Sequence, residues 1–239
     1  MVDEQSKGIL VILVRHGESE GNSSGRLQLP SEQLSSNGLS QASRLGDWFK
    51  ASESRGDFRV KTVVTSDYER TLQTTAGLMG GLDPEAVEVK REPLFQERNF
   101  GDLRGQFYKD VCAQFGDLFA PDFDPPGGES WEVFRRRVEL AWSVLTDEAQ
   151  QLPPRQEGEP EPALVIVTHG LVLRVISDTF LFPGGQVVNF RNTAMAKIRL
   201  LPQESNMEVS IETFNVTPHL DEEALDDPLL RNQSSHGKL

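Results

Sequence analysis

The sequence predicts an α/β protein, a three-layer sandwich in which helices flank a mostly parallel central sheet. Ile9 to Val14, Val60 to Thr65 and Ala163 to Thr168 are continuous apolar runs rich in β-branched residues, the pattern of strands buried on both faces. Amphipathic helical segments alternate with them, as crossovers between parallel strands require. No internal repeat with a period of about 20 to 50 residues is present, which removes solenoids and propellers.

After the first run, a polar loop leads to a helix expected from about Leu39 to Ser52, with Ser36 or Asn37 available as its cap. The second run passes directly into a helix over Asp67 to Met79. Ser130 to Gln150 reads as a long amphipathic helix. Its Trp131, Phe134, Val138, Trp142 and Leu145 recur at three- and four-residue spacing and are assigned to the core, with Arg135 to Arg137 on a solvated face. Leu152 to Pro162, rich in Pro and Glu, is an exposed connection rather than a domain boundary, because the strand after it needs neighbours on both sides. Thr193 to Leu200 and Met207 to Phe214 alternate as hairpin strands do. The expectation is one domain over residues 1–216, then an acidic tail over 217–239, mobile or loosely docked, that offers little to bury.

Composition narrows the function. At 239 residues, 37% hydrophobic and 26% charged, the chain is globular and should bury roughly 70 to 75% of its unfolded surface, enough for a core without disulfides or a structural metal. Its 24 basic against 37 acidic residues give a net charge of −13, which argues against nucleic acid and anionic membranes as partners. No window of about 18 apolar residues occurs, and the start MVDEQSKGIL has no leader-like pattern, so a soluble cytoplasmic protein is expected. Cys112, the single cysteine, excludes an internal disulfide and is assigned to the core rather than to nucleophilic chemistry. No pattern sets the oligomeric state.

Ligands of open α/β sheets bind at the carboxyl ends of the strands. There the first run ends in Arg15-His16-Gly17, the third in Thr168-His169-Gly170, and the second leads through Ser66 and Asp67 to Arg70. Two of only four histidines thus share one local context of apolar strand, histidine, glycine. If those strands are neighbours, about 4.8 Å apart, both imidazoles can face one anion. Glycine lets backbone N–H groups approach a ligand, and arginine forks hold phosphate oxygens. The chemistry suggested is phosphoryl binding with a histidine nucleophile, provided that the His16 imidazole stands uncovered among the guanidinium groups. A metal held by the two histidines with Glu18 or Glu97 is the competing reading, disfavoured by like-charge repulsion from the arginines.

Leu13 to Asn22, LVRHGESEGN, resembles the signature of the histidine phosphatase superfamily, which includes the phosphoglycerate mutases. Further matches follow in that family's order: SDYERTLQTT at Ser66 to Thr75, FQERNFGDLRG around Glu97, Gly128-Glu129-Ser130, and VTHGLVLRVI at Val167 to Ile176. They run from about residue 9 to 200, most of the chain. The resemblance implies a phosphoglycerate mutase-like fold and a phosphoenzyme mechanism with no cofactor and no metal. His16 would be the nucleophile and Glu97 the general acid and base. Arg15, Arg70, His169, Asn22 and Gln28 would bind the phosphoryl group of a small phosphorylated substrate.

The phosphatase branch fits better than the mutases. Glu97 and His169 are 72 residues apart, like the compact phosphatases, and Tyr108 stands where the mutases carry a lysine. Arg98, Arg104 and Lys109 are candidates for a second anionic group. Phe100, Phe107, Tyr108, Phe115, Phe119 and Phe123 are read mainly as packing of the segment over the site, with an apolar mouth as the second reading. Phosphoglycerate mutase-type transfer and a noncatalytic phosphate-binding or interaction module are the alternatives.

Overall fold

The computed structural model describes residues 8–185, 188–202 and 207–221. The six strands are β1 (Ile9–Arg15), β2 (Arg59–Thr65), β3 (Glu88–Arg91), β4 (Pro162–Thr168), β5 (Met195–Pro202) and β6 (Met207–Val216), in the order β3-β2-β4-β1-β5-β6. The first three pairings along this order are parallel and the last two antiparallel, so the sheet is mixed with a parallel centre. Parallel β1 and β4 are neighbours in register, Arg15 opposite Thr168, which places His16 and His169 side by side at one edge.

The helices are α1 (Glu20–Ser24), α2 (Ser36–Arg55), α3 (Glu69–Met79), α4 (Tyr108–Phe115), α5 (Trp131–Gln150) and α6 (Gly170–Ile176). Alternation along β1 explains the layers. Leu10, Ile12 and Val14 face a core with Leu45 and Phe49 of α2 and Leu78 of α3, while Val11 and Leu13 face the larger core under α5 and α6. A strand that must bury both faces can carry apolar residues at every position.

Helix α2 begins one turn earlier than expected, and its cap is Ser35 rather than Ser36 or Asn37. Ser35 Oγ accepts from the Gly38 N–H at 3.0 Å and donates to Glu18 Oε1 at 2.5 Å, which ties the helix start to the loop after His16. The close approach requires glycine, since a Cβ on Gly38 would lie 1.9 Å from the Glu18 carbonyl oxygen. Helix α3 starts at Glu69, two residues later than expected, after a turn through Ser66 to Tyr68. The stripe of α5 is buried as expected, and Arg135 and Arg136 are exposed. Arg137 departs from the expected solvated face: it turns inward, donating to the carbonyls of Leu94 and Gln96 and pairing with Glu129, all at 2.8 Å. Cys112 is partly buried against the larger core. Of the expected tail, Thr217 to Asp221 is docked through His219 on Thr193 and Asp221 on Arg44; residues 222–239 lie outside the described residues, as do 1–7. Among the described residues no helix is long and apolar enough to cross a membrane.

Candidate active site

Strand β1 delivers Arg15 and His16, and β4 delivers His169, with the His16 N–H donating to the Thr168 carbonyl at 2.9 Å. The imidazole centroids are 5.2 Å apart in an edge-to-face arrangement. Arg70, in the first turns of α3, lays its guanidinium beside them, Nε donating to His16 Nε2 at 3.3 Å and Nη1 to the Leu29 carbonyl at 3.0 Å. The β1–β4 pairing brings together Arg15 and the two histidines, and the β2–β4 pairing brings α3 with Arg70 beside them, so the two histidines and two arginines that the sequence singled out converge.

The tautomer of His16 is set by geometry. Its Nδ1 lies 2.7 Å from the Gly17 carbonyl, which can only accept, so Nδ1 carries the proton and Nε2 the lone pair. Burial, with Arg70 and Arg15 adding, holds the ring's pKa well below the usual histidine value. His169 is neutral for the same reasons, burial first and then Arg70, His16 and Arg15. Its Nε2 meets Ser66 Oγ at 2.9 Å, and its Nδ1 is buried without a partner among the described residues.

The backbone around His16 is fixed from behind. Its carbonyl accepts from the Thr193 N–H at 3.2 Å and from Asn192 Nδ2 at 3.1 Å. Thr193 adopts φ 54°, strained for a β-branched residue, and its Oγ1 donates to the Asn192 carbonyl and accepts from His219 Nε2 at 2.9 Å. The Gly17 N–H donates to Thr74 Oγ1 at 2.9 Å.

A cleft of about 130 Å3 opens in front of this group, room for roughly ten waters at 10 to 15 Å3 each. Arg15, Asn22, Gln28, Arg70 and Glu97 line it. Asn22 Nδ2 and Gln28 Oε1 are buried there without partners among the described residues, although Asn22 Oδ1 accepts from Ser19 and Asn192. The imidazole of His16 does not stand uncovered as expected: it is 1% exposed, because the Arg70 guanidinium lies across Nε2.

Glu97 enters from the other side. The Arg98 N–H donates to Oε1 at 3.0 Å and the Leu171 N–H to Oε2 at 3.1 Å. Burial raises its carboxyl above the usual value, and those two bonds with Arg70 and Arg15 only partly offset the rise. The competing metal site does not assemble. Glu18 is turned to Ser35, and among the described residues no group of three His, Cys, Asp or Glu side chains is placed to hold an ion.

Over the cleft, Phe100, Tyr108 and Phe119 line its walls, Tyr108 stacked on Phe119 with centroids 5.9 Å apart, whereas Phe107 and Phe115 are exposed. Phe100 belongs to the larger core and Tyr108, Phe119 and Phe123 pack against it, so the favoured reading as packing holds for four of the six, three of which also line the mouth. Arg98 is not available to a ligand: its guanidinium donates to the carbonyls of Glu129, Leu118 and Phe123. Lys109 is exposed and outside the cleft lining, and Arg104 is in it. Sequence reasoning missed Arg26, Tyr68, Asn192, Thr193 and the inward Arg137. Only Arg137 left a signal, standing three residues after Phe134 on the buried stripe.

Residues 11–212 match the histidine phosphatase superfamily (branch 1). The chain is 30% identical over 184 residues to the metal-independent phosphoserine phosphatase of Arabidopsis thaliana, spanning 73% of this chain and 70% of that protein. It is 34% identical over 207 residues to a 2,3-bisphosphoglycerate-dependent phosphoglycerate mutase of Xanthobacter autotrophicus, spanning 83% and 94%. A mycobacterial glucosyl-3-phosphoglycerate phosphatase superposes with a TM-score of 0.69 at 20% identity, covering 87% and 99% of the two chains, a likeness of fold.

Proposed function

This chain belongs to the histidine phosphatase superfamily, branch 1, and on that premise we propose that it hydrolyses small phosphomonoesters, without a metal ion, through a phosphohistidine on His16. The observation that carries the reading is the fixed tautomer: a neutral ring whose Nε2 lone pair is the only basic nitrogen, buried between Arg15 and Arg70. In the resting site that lone pair accepts from Arg70. An incoming phosphate dianion takes over the guanidinium donors and leaves Nε2 free to attack phosphorus in line. The N–P bond forms as the P–O bond to the leaving group breaks.

Arg15, Arg70, Asn22, Gln28 and His169 hold the non-bridging oxygens. If Ser66 Oγ–H donates to His169 Nε2, the unpartnered Nδ1–H is left to donate to phosphate. Two guanidinium groups supply the positive charge that a divalent cation supplies in other phosphoryl-transfer sites. Glu97, whose carboxyl burial raises above the usual value, gives its proton to the leaving alkoxide from its acid form. As the carboxylate it then takes a proton from the water that attacks phosphohistidine, releasing phosphate and restoring neutral His16.

Hydrolysis is preferred to mutase transfer because Tyr108, stacked on Phe119, brings no charge to the mouth. The test is 4-nitrophenyl phosphate turnover in EDTA with acid-labile, base-stable phosphate trapped on His16. Turnover by His16→Ala, or its loss in EDTA, overturns the proposal, and no turnover on any phosphoester favours the noncatalytic module. Rapid isomerisation of 3-phosphoglycerate primed with bisphosphoglycerate makes the protein a mutase instead.

A further inference from the structure

We propose that Asn192 is a positioning residue for phosphoryl transfer: its one carboxamide ties the main chain of His16 to the side chain of Asn22, and so aims the Asn22 NH2 group at a non-bridging oxygen of the bound phosphate. The inference rests on the phosphatase reading and adds to it a residue that the cleft does not contain. Asn192 is 4% exposed and does not line the cleft, so it acts through its neighbours.

Burial sets the constraint. A carboxamide NH2 has two protons, and a buried one needs an acceptor for each. Asn192 Nδ2 lies 3.1 Å from the His16 carbonyl oxygen and 3.3 Å from Asn22 Oδ1, one acceptor per proton. The His16 carbonyl can only accept, which puts the nitrogen of Asn192 on that side. Asn22 Oδ1 also accepts from the Ser19 N–H at 3.2 Å. Both of these donors can only donate, so the oxygen of Asn22 is fixed toward them and its NH2 is turned the other way. That NH2 is buried on the cleft wall without a partner among the described residues, a costly state until a ligand accepts from it.

Ser19 does not do this alone. Ser19 and Asn22 belong to one capped turn, and α1 is five residues long, too short to hold itself in place. Their bonds fix the carboxamide within the turn; the bond from Asn192 fixes the turn against the nucleophile. The segment that carries Asn192 is built around the same group. Arg15 Nη1 donates to the Phe190 carbonyl at 2.5 Å and the Arg15 N–H to the Ala194 carbonyl at 3.1 Å, while the Ala194 N–H closes a turn on the Arg191 carbonyl at 3.0 Å. Thr193 takes its strained φ of 54° inside that turn, which brings its N–H and the Asn192 side chain onto one acceptor, the His16 carbonyl. Arg15, His16 and Asn22 are thus held in common by residues 190–194.

The test is a double-mutant cycle of Asn192→Leu, which keeps the bulk and removes both donors, with Asn22→Ala, read on the dissociation constant for orthovanadate and on kcat/KM for 4-nitrophenyl phosphate. In the wild-type background Asn192→Leu should worsen both by about tenfold or more, since a misplaced donor forfeits part of what its removal costs. Beside Asn22→Ala the same change should cost less than about threefold, because no carboxamide is left to aim and the Thr193 N–H still holds the His16 carbonyl. Equal losses in the two backgrounds, or no loss in the first, overturn the inference while the phosphatase reading stands. If Asn192→Leu does not fold, the wild-type protein decides by its proton–nitrogen NMR spectrum. Orthovanadate should shift the Asn22 side-chain NH2 pair, and the Asn192 pair should exchange with solvent at least about tenfold more slowly than exposed carboxamides. An Asn22 pair unmoved by vanadate, or an Asn192 pair that exchanges like an exposed one, overturns the inference. No hydrolysis of any phosphomonoester removes the phosphatase reading and the inference with it.

Discussion

His16 and His169 stand at the ends of paired strands, whereas Glu97 stands on a segment that belongs to no strand. The floor of the cleft is located by backbone bonds: the β1–β4 ladder, the His16 N–H on Thr168, and the Thr193 N–H on the His16 carbonyl. The rim has fewer such bonds, among them the Glu92 N–H on the Thr65 carbonyl and the Glu129 N–H on the Asn99 carbonyl, both at 2.8 Å, and relies on arginine side chains as well. Arg98 donates to three carbonyls, and Arg137 donates to three more while pairing with Glu129, whose carboxylate accepts from the Asn99 N–H at 2.8 Å. The contrast teaches where each half is vulnerable. A ladder shared by many residues tolerates a side-chain change better than a segment that takes much of its support from two arginines.

Separating the chemistry of the two halves should produce the largest effect. Glu97→Gln leaves the floor intact and removes the proton source, so turnover of ethyl phosphate should fall roughly 10² to 10³-fold. The first-turnover burst of nitrophenolate from 4-nitrophenyl phosphate should persist, because that leaving group needs no proton, while the steady state slows. A burst lost together with the steady state would mean that Glu97 shapes the floor. The wild-type profile should fall on its acid side well below pH 6.5, where His16 gains a proton, and on its basic side as Glu97 loses one at its raised pKa. Only the basic limb should vanish in Glu97→Gln.

A smaller effect tests how the rim is held. Arg137→Met leaves the half-buried Glu129 carboxylate with the Asn99 N–H but no cation, and the Leu94 and Gln96 carbonyls without this donor, a loss of about 2 to 3 kcal/mol. The melting temperature should drop by roughly 5 to 10 °C. With the Glu97 segment loosened, kcat for alkyl phosphates should fall about tenfold, and the inhibition constant for inorganic phosphate should change less than about threefold. Equal losses in kcat and phosphate binding would erase the distinction between floor and rim.

The same distinction explains what the sequence could disclose. Strands buried on both faces announce themselves as β-branched runs, and the histidines, glycines and arginines that end them stand at fixed offsets, so floor residues from Arg15 to His169 were legible. Strand β3, Glu-Val-Lys-Arg at an exposed edge, shows no such run. The helices α1, α4 and α6 are only 5, 8 and 7 residues long, too short for a periodicity to emerge. Arg137 sits within three consecutive arginines, where composition says solvent and only the position relative to Phe134 says otherwise. The covering of His16 by Arg70 is a side-chain placement that no spacing encodes.

His219 gives the smallest expected effect and the finest test, because it braces the floor through a side chain. Thr193 Oγ1 donates to the Asn192 carbonyl, so His219 must donate from Nε2 and keep Nδ1 as a buried lone pair. Burial, with Arg44 adding, lowers its pKa to about 4. The folded value lies below the unfolded one, so the stability attached to His219 is fully present above about pH 6.5 and is lost as pH falls toward 4. His16 and His169, also lowered, have the same sign and steepen the decline. His219→Gln keeps a donor for Thr193 and removes one titration, so its melting temperature should fall less steeply between pH 6.5 and 4. Turnover at pH 7 should stay within about threefold of wild type, because the ladder and Asn192 still hold the His16 carbonyl. A loss comparable to that of Arg137→Met would mean that the floor, like the rim, hangs on single side chains.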